Sequence, residues 1–336
     1  MQRFKWIAAM LPLLLPPSLR AITTVTVGTG SGDYATIQAA VNALPSTGGQ
    51  IDVTPGTYTQ QVTITKPNVR LIGQGSSRSA TVLTDDLSSS GSSDQASSTL
   101  IVLAGGFFME NITVQNTYTQ NGNSEVPAVA VFLRSDESVL RNVSIIGRQD
   151  TLYIGSQGCT SSTCTAARTY IYGSSIEGNV DFIFGDGAAV FDTCVIQVDE
   201  HGTASGETTI TAQNKTFTNY LSGFVFYNSQ INPGSNGMTN DYLGRPWGAY
   251  STNIWINTSM QAPITAAGWI EFTPGVTDNL PTSHYAEYGS TGAGAAGYTA
   301  KTREKYAIYL TSAETTQYEP DNFLAGSNGW VPTSVD

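Results

Sequence analysis

Two aspartates, Asp150 in GRQDTLY and Asp181 in GNVDFIFG, occur in matching surroundings, each three residues after a glycine (Gly147 and Gly178). On neighbouring β-strands such a pair would lie about 4.8 Å apart. Two like charges that close cannot both ionise freely, so one keeps a proton while the other stays anionic if a cation supports it. That division suits a nucleophile working with a general acid/base. Gln149, beside the first aspartate, offers an amide donor for an oxyanion. Phe182 and Phe184, around the second, offer flat apolar faces to a sugar. A retaining glycosidase is the competing chemistry, because it also uses two carboxyls about 5 Å apart. The chain has two histidines, His201 and His284, in unrelated contexts, and it contains no Gly-x-Ser-x-Gly elbow and no cysteine–histidine cluster with metal spacing. A Ser-His-Asp triad and metal-assisted hydrolysis therefore lack their residues.

Something must hold these residues in register, and a repeat supplies it. The segments MENITVQN, LRNVSIIG, IYGSSIEG, FDTCVIQV, FYNSQINP and WINTSMQA superimpose, placing Asn111, Asn142, Gly173, Asp192, Asn228 and Asn257 in one column. These are the residue types that best tolerate a left-handed backbone. Three residues later comes an apolar column, Val114, Ile145, Ile176, Val195, Ile231 and Met260. Spacings of 31, 31, 19, 36 and 29 residues describe coils of similar size with loops of different length. That pattern predicts an all-β chain folded as a parallel β-helix, with a β-sandwich as the competing architecture. Thr113, Ser144, Ser175, Cys194, Gln230 and Ser259, or the adjacent row, are expected to face inward. Counting eight residues on from Asn142 and Gly173 reaches Asp150 and Asp181, which places both on adjacent rungs. One short helix is expected over Ile37 to Leu44, behind a polar cap; Ala300 to Leu310 is ambiguous.

Composition fits a large core with a polar, weakly charged surface. Apolar residues make up 40% and charged residues 12% of 336, the latter about half the usual share. The net charge of −11 argues against nucleic acid and against an anionic membrane surface as partners. Residues 1–21 read as a secretory signal, with Arg3 and Lys5 before the apolar Trp6 to Leu15 and cleavage between about 18 and 21, leaving 22–336 as one domain. Four Asn-x-Ser/Thr sequons, at Asn111, Asn142, Asn214 and Asn257, are compatible with export. In an exported chain Cys159 and Cys164 are close enough to close a small disulfide loop, with Cys194 left as buried packing.

GRQDTLY, GNVDFIFG and YLGRPWG (Tyr242 to Gly248) closely resemble the three signature segments of the pectin methylesterases. GTYTQ (Gly56 to Gln60) and GWVP (Gly329 to Pro332) resemble that family's N- and C-terminal motifs, so the resemblance spans most of the chain. It implies a right-handed parallel β-helix that hydrolyses galacturonate methyl esters in pectin without a metal or organic cofactor; with the signal-like N-terminus, a secreted monomer is expected. By matching positions, Asp181 would be the nucleophile, Asp150 the general acid/base, Gln149 the oxyanion donor and Arg245 the cation paired with Asp181. Tyr153, Phe182, Phe184 and Trp247 would contact sugar. Two positions depart from the pattern. Pro127 stands where the family usually has a second glutamine donor, which leaves open a non-catalytic carbohydrate-binding relative, and Gln60 stands where it often has Glu.

Overall fold

The computed structural model describes residues 22–335 apart from 29, 31, 120–125, 166, 200–206, 235–239 and 274. The signal read in residues 1–21 and the histidine at 201 lie outside the described residues.

Short β-branched segments separated by tight corners wind into a parallel β-helix. Among the described residues three sheets of eleven, eight and eight strands run along it, and every paired neighbour is parallel. Each full coil contributes one strand to each sheet. The coil around the first aspartate, for example, supplies Ser138–Arg141, Ser144–Ile146 and Leu152–Ile154, and the next coil supplies Arg168–Tyr172, Ser175–Gly178 and Val180–Gly185.

The left-handed corner is real, with one correction. Asn111, Asn142, Gly173, Asn228 and Asn257 all have φ between 50° and 58°, but the fourth member is Thr193 (φ 55°), not Asp192. The pairing Ile176↔Ile196 shifts that coil by one residue relative to the sequence superposition. The corner asparagines bond up the stack, Asn142 Nδ2 donating to Asn111 Oδ1 (3.1 Å) and Asn257 Nδ2 to Asn228 Oδ1 (3.3 Å). Three sequon asparagines thus have a structural role.

The inward row is the apolar one. Val114, Ile145, Ile176, Ile196, Ile231 and Met260 are all fully buried. Ser144, Ser175, Val195 and Ser259 are partly exposed and Gln230 is exposed, so of the two rows expected inside the adjacent apolar one is the inner row, although Thr113 is itself buried. Cys194 is buried one position earlier, beside Ser174 and Ser229. Aromatic rings fill the C-terminal coils, with Phe226 stacked 3.7 Å from Trp255 and 4.6 Å from Phe191. Burying side chains of that size is the largest favourable contribution a fold of this type has.

The ends are closed by different devices. The helix Ile37–Ala43, capped by Thr36 Oγ1 accepting from Ala39 N, buries Ile37, Ala40 and Val41. At the other end, Arg303 and Glu287 form a fully buried ion pair at 2.7 Å. The ambiguous segment ends one helix, Ala296–Ala300, and includes the strand Ile308–Tyr309.

Candidate active site

Asp150 and Asp181 occupy the same register on consecutive coils. Leu152 pairs with Ile183 and Tyr153 with Phe184, and Asp150 N donates to Val180 O at 3.0 Å. Both aspartates are themselves left-handed, at φ 60° and 50°. The matching glycines have a steric reason. A Cβ on Gly178 would sit 2.2 Å from Phe182 Cβ, and one on Gly147 would sit 2.8 Å from Thr151 Oγ1. At each corner the residue after the aspartate folds back over the glycine, and only glycine leaves room.

Arg245 reaches Asp181 from a distant coil. Its Nη2 lies 2.6 Å from Oδ2 and its Nε 2.9 Å from Oδ1, the two-pronged contact that suits a carboxylate. Asp181 is buried and Arg245 is partly exposed. Burial works against the Arg245 cation, but its hydrogen bonds to Asp181 and the charges of Asp181 and Asp150 outweigh this and raise its pKa. Asp150 goes the other way. Desolvation, then the charge of Asp181 and then that of Asp94, push its carboxyl well above the usual range, with Arg245 opposing. One carboxyl is thereby favoured as a proton carrier, beside a second that a guanidinium grips.

An outward-facing ladder of side chains forms the surrounding floor. Ile101, Phe132, Tyr153, Phe184, Ala212 and Arg245 are successive partners across the sheet. Tyr153 stacks on Phe132 (4.3 Å) and meets Phe184 edge-on (5.1 Å). Trp247 is 40% exposed beside this floor, free to offer its ring to a ligand.

Phe182 is a correction. It is fully buried in the interior core, so it contacts other core side chains rather than a sugar. Strand alternation would put it on the same face as Phe184, but the bulge between Val180 and Ile183 turns it inward. Phe184 is 3% exposed and supports Tyr153 from beneath.

Two residues escaped the sequence reading. Phe272 lies under the Arg245 guanidinium (4.6 Å) and stacks with Trp247 (6.2 Å). Thr209 Oγ1 donates to Asp181 Oδ1 at 2.8 Å. Neither stands at a countable offset from the corner column, because irregular loops intervene. Pro127 supplies no side-chain donor; its carbonyl accepts from Ser89 N at 2.9 Å.

Comparison with known proteins assigns the family. The Pectinesterase family profile matches residues 23–327. The chain belongs to the pectinesterase family. A probable pectinesterase/pectinesterase inhibitor of Arabidopsis thaliana is 33% identical over 329 residues, covering 96% of this chain and 60% of that relative. The chain spans 55% to 60% of the length of three of the curated pectinesterases it matches. The solved pectin methylesterase from carrot is similar over 93% of this chain and 96% of its own, with 31% identity and a TM-score of 0.80. A pectin methylesterase solved in complex with a hexasaccharide is 27% identical with a TM-score of 0.73, covering 94% of this chain and all of that one. The cysteines of this pectinesterase-family chain divide as expected, with Cys159 bonded to Cys164 and Cys194 free. Burial pushes the Cys194 thiol up to about 12, an inert packing group.

Proposed function

We propose that this chain hydrolyses galacturonate methyl esters in pectin, releasing methanol and leaving de-esterified polymer. The observation that carries the reading is the asymmetric dyad: Asp181 gripped by Arg245, one rung from an Asp150 whose carboxyl is biased towards the protonated state. Family membership supplies the substrate class, and a related esterase has been solved with a hexasaccharide bound.

In this reading a carboxylate oxygen of Asp181 attacks the ester carbonyl carbon. The bond from that carbon to the methoxy oxygen breaks, and the methoxide takes the proton of Asp150 and leaves as methanol. The carbonyl oxygen, negatively charged in between, faces the Gln149 amide. Asp150, now anionic, removes a proton from water, whose oxygen attacks the acyl–Asp181 carbonyl carbon. Asp181 departs as a carboxylate, and Asp150 has regained its proton. Tyr153 and Trp247, with Phe272, offer ring surface to the sugars. The net charge of −11 and the signal-like residues 1–21 support a monomeric exported enzyme with no nucleic-acid partner.

The test is incubation with highly methylated pectin. Methanol release and falling pH, both lost in Asp181→Ala, support the reading. Unsaturated or shortened chains would instead identify a lyase or glycosidase, and no reaction at all a carbohydrate-binding relative disabled at Pro127.

A further inference from the structure

The carboxylate of Asp181 has a partner besides its arginine. Thr209 opens the strand segment opposite the bulge. Val180 pairs with Thr209 and Ile183 with Thr211, so three steps along one strand match two along the other. Asp181 lies within this irregular stretch, in the left-handed conformation that a non-glycine residue holds only when its surroundings enforce it. The buried Thr209 hydroxyl lies against this irregularity. Its oxygen accepts from Asp181 N (3.1 Å) while its hydrogen goes to Asp181 Oδ1 (2.8 Å). A hydroxyl has one donor and two acceptor sites, so both bonds exist together.

Arg245 holds both carboxylate oxygens, and the Thr209 hydroxyl adds a second anchor on one of them. Oδ1 receives Thr209 Oγ1 at 2.8 Å and Arg245 Nε at 2.9 Å, which fill its two lone-pair sites. Oδ2 receives Arg245 Nη2 at 2.6 Å, with Nε at a longer 3.2 Å.

We infer that Thr209 is a positioning residue for ester hydrolysis, whose hydroxyl locks the bulge and, together with Arg245, fixes the orientation of the Asp181 carboxylate. The inference rests on the reading of Asp181 as nucleophile. The new bond joins a carboxylate oxygen of Asp181 to the ester carbonyl carbon as the carbon–methoxy bond breaks and the Asp150 proton passes to the methoxide. Removing the hydroxyl leaves the buried Asp181 amide without its acceptor and frees the carboxylate to turn about its side-chain bonds.

Thr209→Val keeps the shape and deletes the hydroxyl, and Thr209→Ser keeps the hydroxyl. With methylated pectin, Thr209→Val should lose tenfold or more in kcat with KM within about threefold, the signature of misplaced reacting groups. Thr209→Ser should stay within about threefold of the parental kcat. A Val variant within twofold of the parent, or a Ser variant as slow as Val, would overturn the assignment. If Thr209→Val does not fold, Thr209→Cys takes its place, with a weak donor in similar volume. It should also be slow, and parental turnover in it would overturn the idea. Active parental enzyme with indifferent Thr209 variants refutes this inference alone, whereas methanol release that survives Asp181→Ala refutes the nucleophile reading beneath it.

Discussion

Arg245 grips Asp181 across 64 residues of sequence, Nη2 to Oδ2 at 2.6 Å and Nε to Oδ1 at 2.9 Å. A planar fork fixes both the charge and the orientation of the carboxylate, whereas an ammonium supplies a mobile point charge.

Arg245→Lys should therefore damage turnover more than its preserved charge suggests. The expected loss is tenfold or more in kcat, about 1.4 kcal/mol in barrier, with KM changing less. Steady-state kinetics on methylated pectin decides it, and a Lys variant near the parental kcat would make Arg245 merely structural.

Asp181→Ala should abolish methanol release while the circular dichroism spectrum stays native. Near-normal turnover in a folded variant would remove Asp181 from the nucleophile role.

The raised pKa of Asp150 has a consequence for stability. A group that binds its proton more tightly folded than unfolded favours the folded state below the unfolded pKa and loses that benefit as pH rises through the folded value. Asp150→Asn, which carries no charge at any pH, should therefore gain Tm over the parent at neutral pH. The gain should shrink to nothing towards pH 3, where both states of the parent are protonated. Thermal scans across that range test it; a difference independent of pH would rule out titration as its source.

Thr193 is a β-branched residue in a corner otherwise filled by asparagine and glycine, at φ 55° and exposed. Holding a non-glycine residue there costs on the order of 1 kcal/mol, and asparagine tolerates it better. Thr193→Asn should stabilise the protein by about that amount. Urea unfolding of the two proteins measures it, and an unchanged or lower midpoint would refute the strain.

Thiol titration of denatured, unreduced protein should find one reactive group, that of Cys194. Three would mean that the loop closed by Cys159 and Cys164 is reduced.

What the sequence determined by itself was the periodic part of the molecule. The coil corners need residues that accept a left-handed backbone, so Asn111, Asn142, Gly173, Asn228 and Asn257 mark them openly. The interval of 31 residues from Asn142 to Gly173 recurs from Asp150 to Asp181, so the register is carried intact from one coil to the next. Where that local rule weakens, so does the reading. At the coil with Thr193 a strained residue took the place of a permissive one, and the superposition slipped by one. Tertiary structure alone decided the rest. Phe182 faces the core because a bulge breaks the alternation that side-chain direction obeys in a regular strand. Thr209 and Phe272 meet Asp181 and Arg245 because coils stack across loops of unequal length, and no count along the chain survives such loops. Contacts between rungs follow from which strands pair, and that is settled by the burial of the whole apolar interior rather than by any segment of it.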